Sequence, residues 1–312
     1  ERHLSGLKRD IEGGEVHNVE LTNAEVKSFG SRLFNSIFVG DVLFALRTSL
    51  SKAGKQRRGL RVRLRFEDDP YLASLPWEYL YDEKGVHGFL GLLGKHTIVR
   101  YITVQQPVEP LGVGLPVKLL IATANPKDYS TLDSAKELSQ LLRSLEDAQR
   151  EGLLDIEVLE NASRKKIQEA FINNDHHVFH FLGHGSFDKD EGSSLLFETA
   201  DGFGDVVGVK TLTNWLTSSN SLRLVVLNAC EGARAPEKEN WSGIAQSLVK
   251  QGVPAVIAMQ YAITDEAAIA FAEYFYPALV KGHEVDAAVG FARKRMASAY
   301  RIARGNIEWG TP

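Results

Sequence analysis

Leu222-Arg223-Leu224-Val225-Val226-Leu227-Asn228-Ala229-Cys230-Glu231-Gly232 is the stretch on which the fold turns. Apolar and β-branched through Leu227, then small or polar from Asn228, it reads as a buried strand that delivers Cys230 to the lip of a sheet. A second stretch, His177-Val178-Phe179-His180-Phe181-Leu182-Gly183-His184-Gly185, has the same form and delivers His184 between two glycines. Cys230 is the sole cysteine among 312 residues. A lone Cys and a Gly-flanked His, each at a strand end, are the parts of a nucleophile and base pair.

Outward from these two strands the pattern is regular. Residues 117–124 form an apolar run, and Ser134 and Glu137 have the spacing of a capping box before a helix whose Leu138, Leu141, Leu142 and Leu145 share a face. Residues 156–159 read as a strand and 164–172 as a helix. Beyond Cys230, Trp241, Ile244, Ala245, Leu248 and Val249 keep helical spacing up to a stop at Gly252. A last strand is expected over 253–259, then helices over 266–280 and 284–300. Strands alternating with helices specify a mostly parallel sheet covered on both faces. Sites in such sheets open at the carboxyl ends of the strands, where His184 and Cys230 both fall. Residues 187–208 and 231–240, rich in Asp, Glu, Gly and Ser, read as loops flanking that edge.

The amino-terminal third is more mixed. Residues 23–34 and 40–50 are amphipathic, and 60–66 alternate, with Leu60, Val62, Leu64 and Phe66 on one face and Arg61, Arg63 and Arg65 on the other, as a half-buried strand requires. With Lys52, Lys55, Arg57 and Arg58 beside it, the arginine face reads either as a solvated strand face or as a patch for a nucleic acid or nucleotide. A net charge of −4 gives the second reading no support. Trp77, Tyr79, Leu80 and Tyr81 are too apolar for a free loop and are expected to pack against the second half of the molecule. Short strands are expected over 89–93 and 97–104. Pro107, Pro110, Gly112, Gly114 and Pro116 then crowd into a linker.

A content of 44% hydrophobic and 24% charged residues is ordinary for a soluble globular chain, long enough here for one large α/β unit or two subdomains. No apolar run nears the roughly 20 residues of a membrane span. The charged start opens no signal peptide, and one cysteine permits no internal disulfide. The expectation is a cytoplasmic protein without membrane association.

His184 stands 46 residues before Cys230, near the spacing of about 50 in caspase-type enzymes. The His-Phe-Leu-Gly-His-Gly run at 180–185 and Leu-Asn-Ala-Cys-Glu-Gly at 227–232 resemble the CHAT family of caspase-like and separase-like cysteine peptidases. Leu75-Pro76-Trp77-Glu78-Tyr79-Leu80-Tyr81-Asp82 and Glu308-Trp309-Gly310-Thr311-Pro312 are similar to two further hallmarks of that family, in the same order. The resemblance implies an α/β fold: a catalytic, caspase-like half over 116–312, its mostly parallel sheet flanked by helices, preceded over 1–110 by a smaller, inactive caspase-like half. It also implies a protein substrate, no cofactor, and control by a sensor or repeat module, fused or separate, in bacterial defence or programmed death. The pattern of the family would continue past Pro312 into a closing apolar strand, so the chain is read as a fragment.

A thiol with a pKa near ~8.5 in water needs a base or cation beside it to supply thiolate at neutral pH. His184 can take that proton or, as the resemblance implies, chiefly protonate the leaving amine while Cys230 attacks the carbonyl. The resemblance points to the backbone N–H groups of Gly185 and Cys230 as the oxyanion donors. No residue that orients the imidazole can be named, and caspase-like enzymes often use a backbone carbonyl there. Taken singly, Cys230 also reads as a buried structural thiol and His184 as a strand-end cap. A metal site does not fit His176, His177, His180 and His184, because four residues of strand span about 13 Å, too far for one zinc ion.

For the substrate pocket, relatives often use the residue two before the cysteine. Here it is Asn228, where basic-specific relatives often carry a carboxylate. Glu231 and Asp265 are acidic candidates for that role, and each also reads as a structural acid, a loop residue and a helix cap. The expected activity is hydrolysis of peptide bonds in a specific partner protein through an acyl-enzyme on Cys230. The alternatives are a catalytically silent caspase-like scaffold and a different cysteine hydrolase or acyltransferase on a similar sheet.

Overall fold

A computed structural model of the chain describes residues 23–66, 69–85, 88–102, 112–130, 132–188, 192–218, 220–231, 242–260, 263–299 and 307–312. The polar start, Pro107 and Pro110 of the expected linker, and positions 232–240 of the second expected loop lie outside them.

In chain order the elements are α1 (Asn23–Ile37), α2 (Gly40–Lys55), β1 (Arg61–Arg65), α3 (Pro70–Ser74), β2 (Tyr81–Asp82), β3 (Gly88–Phe89) and β4 (Thr97–Tyr101). Then come β5 (Val117–Thr123), α4 (Ser134–Arg150), β6 (Leu154–Leu159), α5 (Arg164–Asn173), β7 (Val178–Asp188), β8 (Gly192–Glu198) and β9 (Gly204–Gly208). The last are α6 (Val209–Leu216), β10 (Leu224–Glu231), α7 (Ser242–Lys250), β11 (Val256–Ala258), α8 (Asp265–Val280) and α9 (Val285–Ala299). Two compact units result, Glu1–Tyr101 with Gly282–Pro312, and Ile102–Lys281.

In the first unit α1 buries Val26, Phe29, Leu33 and Phe34, the amphipathic stripe its sequence carries. Strand β1 pairs in parallel with β4 and exposes Arg61, Arg63 and Arg65 while half-burying Val62 and Leu64. That arginine face is occupied from within: Arg61 pairs with Asp286 at 2.5 Å and with Glu284, and Arg63 and Arg65 lie over the Tyr101 ring at 4.9 and 5.3 Å. The Trp77–Tyr81 cluster is packed, and its partners come from both ends of the chain. Trp77 stacks on Phe66 at 5.0 Å, and the Tyr79 ring meets the Trp309 edge at 4.9 Å.

Glu78, 3% exposed, binds Arg100 through both carboxylate oxygens and lies 3.7 Å from the buried Arg293, whose guanidinium also donates to the Pro312 carbonyl oxygen. The two outlying hallmarks of the sequence thus meet in space.

The second unit holds the sheet. Its order is β11-β10-β7-β5-β6, all parallel, extended by β8 antiparallel to β7 and by β9 antiparallel to β8. Leu119, Leu120 and Ile121 of β5, Phe179 and Phe181 of β7, and Val225 and Val226 of β10 are fully buried. Each such side chain contributes about 1.5–3 kcal/mol relative to exposure, which is why these strands read as nearly unbroken apolar runs.

From β5 the chain steps one way to β6 and then back across β5 to β7. The crevice outside the strand ends therefore opens between β5 and β7.

Three expectations change here. Of the strand expected over 89–93 only Phe89 lies in β3, and Leu90–Leu92 form a 3-10 turn. Residues 187–208 were expected as a loop and hold the end of β7, β8 and β9, with Leu195, Leu196, Phe197 and Val207 fully buried. The cap of α4 is Asp133, whose side chain accepts from the Lys136 N–H, so Ser134 is already the first helical residue.

Candidate active site

His184 is not at a strand end. Strand β7 runs on to Asp188 because β10 accompanies it on one side and β8 takes over from β5 on the other. Pairing with β5 ends at Leu182 and pairing with β8 begins at Gly185, so His184 sits in the gap between the two. Gly183 is what lets β5 end so close: a Cβ there would lie 2.9 Å from the Ala124 carbonyl oxygen and 2.7 Å from the Phe181 ring.

Through the gap comes the loop after β5, and its Ser130 carbonyl oxygen accepts from His184 Nε2–H at 2.7 Å. The Tyr129 ring flanks the imidazole at 6.0 Å. That loop is itself fixed. The Asn125 side chain donates to Leu132 O at 2.9 Å and accepts from Leu132 N at 3.1 Å, closing a clasp around Ser130, while Asp128 accepts from Gly204 N at 2.7 Å. His184 is 1% exposed, and with Nε2 so engaged its Nδ1 has no hydrogen-bond partner among the described residues.

Cys230 lies directly across from His184 in the parallel ladder, one step after Ala229 faces Gly183 and one before Glu231 faces Gly185. Neighbouring strands run about 4.8 Å apart, so the two backbones stand side by side at the mouth of the crevice. For Cys230, Glu231 and Asp265 the structure describes the backbone only.

Gly185 is buried and pairs with both Glu231 and Leu195. Asn228 is buried, and its Nδ2 donates to Glu137 of α4. Asp265 is the first residue of α8 and not its cap, which is Thr264, accepting from the Ala267 N–H.

The other histidines serve separate partners. His176 Nε2 contacts Glu157 at 3.0 Å, and His177 Nδ1 accepts from Lys118 N at 3.0 Å. His180 Nδ1 meets Tyr276 Oη at 2.7 Å. Among the described residues no group of His, Cys, Asp and Glu converges on a point that could hold a metal ion.

Burial lowers the pKa of His180 from 6.5 to about 3 and raises that of Tyr276, so both are neutral in the folded chain. The unfolded histidine takes up a proton below pH 6.5 that the folded one refuses. Stability is therefore fully present above pH 6.5 and is expected to fall toward pH 3, by up to about 1.4 kcal/mol per pH unit for this group. Urea midpoints at pH 7 and pH 5 measure this, and His180→Gln is expected to flatten the dependence.

Sequence reasoning did not find Ser130, because a main-chain carbonyl has no side-chain signature. Glu137 was seen, but as a cap.

The Drosophila initiator caspase Dronc is similar to this chain at 8% identity, covering 67% of this chain and 89% of Dronc, with a TM-score of 0.39. A secreted C11 cysteine protease from Bacteroides thetaiotaomicron gives 10% identity, 57% of each chain and a TM-score of 0.37. The Arg-specific cysteine proteinase gingipain R gives 14% identity over 93% of this chain and 65% of that one, with a TM-score of 0.45. Comparison with curated proteins finds no match. No single helix among the described residues is long and apolar enough to cross a membrane. The CHAT domain matches residues 32–309, nearly the whole sequence, and the chain belongs to the CHAT domain family.

Proposed function

We propose that this chain is an endopeptidase in which Cys230 is the nucleophile and His184 the acid–base. The observation that carries the reading is the facing of residues 184 and 230 across β7 and β10, with Nε2 of the imidazole anchored on Ser130 and Nδ1 left without a described partner. A neutral ring whose Nε2–H is spent on a carbonyl has its lone pair on Nδ1, the atom then available to take and return a proton.

In the proposed cycle the Cys230 thiol gives its proton to Nδ1 of His184 as its sulfur bonds to the peptide carbonyl carbon. The oxyanion is received by the N–H groups of Gly185 and Cys230. Collapse breaks the C–N bond as His184 protonates the leaving amine, giving a thioester on Cys230. Water, deprotonated by His184, then releases the acid and restores the thiol.

Asn228, Glu231 and Asp265 are taken to border the substrate pocket. Residues 1–110 are taken as the inactive caspase-like half and 116–312 as the catalytic half. The substrate is a specific partner protein, cut under the control of a sensor or repeat module. The setting is bacterial defence in the cytoplasm, where a lone reduced cysteine is at home.

Incubation of the chain with a diverse peptide library tests the reading. Cleavage at defined positions is the expected result. An intact library, together with an unreactive Cys230, would move the assignment to a scaffold that acts by binding.

A further inference from the structure

We propose that Glu198, the last residue of β8, is a positioning residue for the acid–base: its carboxylate fixes the loop whose Ser130 carbonyl oxygen orients His184. The catalytic consequence rests on the peptidase reading above.

A strand that ends inside a sheet leaves backbone donors to be satisfied. Just past β5 the Ala124 N–H turns toward β7 and donates to the Leu182 carbonyl oxygen at 3.0 Å, so the Asn125 N–H turns the other way. Strand β6 has finished on that side, its last pair being Leu159 with Ala122. A side chain takes its place: Glu198 Oε1 accepts from the Asn125 N–H at 2.8 Å. The backbone sets Glu198 there, its own N–H donating to Ala162 O at 2.8 Å and the Ala162 N–H to Thr123 O at 2.8 Å. Glu198 is 7% exposed, and a carboxylate that accepts from a backbone N–H makes one of the stronger hydrogen bonds.

Asn125 passes the restraint on. Its side chain clasps Leu132 around Ser130, whose carbonyl oxygen accepts from His184 Nε2–H at 2.7 Å. The turn after Glu198 fastens the same loop again. Lys127 N–H donates to Gly202 O at 3.0 Å, Lys127 Nζ to Asp201 O at 3.1 Å, and Gly204 N–H to Asp128 at 2.7 Å. Lys127 and Asp128 are exposed, whereas Glu198 is buried at the point where the loop leaves β5. While Ser130 stays in place, the imidazole proton stays on Nε2 and the lone pair on Nδ1. A loop that drifts lets the ring carry its proton on Nδ1, where it cannot accept the thiol proton.

The test pairs a spectrum with activity. By nitrogen NMR of the full chain with labelled histidine, assigned by His184→Ala, the wild-type ring is expected to be protonated at Nε2 and Glu198→Ala to add the Nδ1–H form. On a peptide that the wild type cuts, Glu198→Ala is expected to lower kcat by about 10–100-fold with KM changed by less than about 3-fold. Glu198→Gln keeps the acceptor oxygen and is expected to recover kcat to within about 3-fold of wild type. Asn125→Ala acts on the same loop, so combined with Glu198→Ala it should be no slower than the slower single variant. Ile167→Val, which thins the core shared with Leu195 and Phe197 of β8, is expected to lower Tm and leave kcat unchanged. If Glu198→Ala does not fold, Glu198→Met, similar in size and without the oxygen, is read in the same way.

Wild-type kcat and an unchanged nitrogen spectrum in these variants overturn the proposal. So does a loss that glutamine does not recover, or one that multiplies with Asn125→Ala. A wild type that cuts no peptide removes the peptidase reading, and the nitrogen spectra still decide whether Glu198 orients the ring.

Discussion

His184→Ala is expected to lower kcat by about 10²–10⁴-fold, the range for loss of a positioned acid–base group, and Cys230→Ala by at least as much, since no acyl-enzyme can form. In the proposed mechanism the two residues act as one unit. The double variant should therefore be no slower than the slower single one, and the effects should not multiply. What makes His184 so sensitive to this loss is how completely its ring is fixed. It is buried, anchored through Nε2 on the Ser130 carbonyl, and set in the gap between β5 and β8 that Gly183 makes possible. Single-turnover kinetics of the three variants, alongside thermal unfolding to show that each keeps its fold, measure the effect.

Glu78→Ala should be the most damaging single substitution in the first unit, destabilising by about 3–5 kcal/mol, the usual consequence of removing one member of a buried ionic group. The carboxylate is 3% exposed and lies between the guanidinium groups of Arg100 and Arg293. Without it two largely buried cations face each other with their main counter-charge gone. Arg100 also holds the Ala73 and Leu75 carbonyl oxygens at 3.2 and 2.9 Å, and Arg293 holds that of Pro312, so the damage should spread through the segments carrying both outlying hallmarks. Urea denaturation followed by tryptophan fluorescence is a direct readout, because Trp77 and Trp309 lie in those segments. A loss of less than about 1 kcal/mol would mean that the hydrophobic contacts around Tyr79 carry the unit instead.

Much of this architecture was legible because burial on both faces leaves parallel strands apolar throughout. The runs that became β5, β7 and β10 could be named from Val, Leu, Ile and Phe alone. Strands β8 and β9 could not, since Lys189, Asp190 and Glu191 before them, and the glycines at 192, 202, 204 and 208, hide a short buried core of Leu195, Leu196 and Phe197 in a polar stretch.

The same bias placed His184 at a strand end. Glycines on both sides of a residue look like a stop, yet here they mark close approach within a continuing strand. Ser130 acts through its backbone, 54 residues before His184, and no pattern of side chains could disclose that. Glu137 matched a capping box by spacing. Asp133 took the cap one position earlier, and the Glu137 carboxylate reaches instead to Asn228, 91 residues away in sequence.

The most direct measurement is to treat the intact chain with peptidyl acyloxymethyl ketones carrying arginine, norleucine or aspartate before the warhead, and to map the modified residue by peptide mass. Stoichiometric labelling of Cys230 by at least one of them, lost in His184→Ala, is the predicted result. A Cys230 that stays unmodified by all three, or that labels equally well without His184, would contradict the catalytic pair.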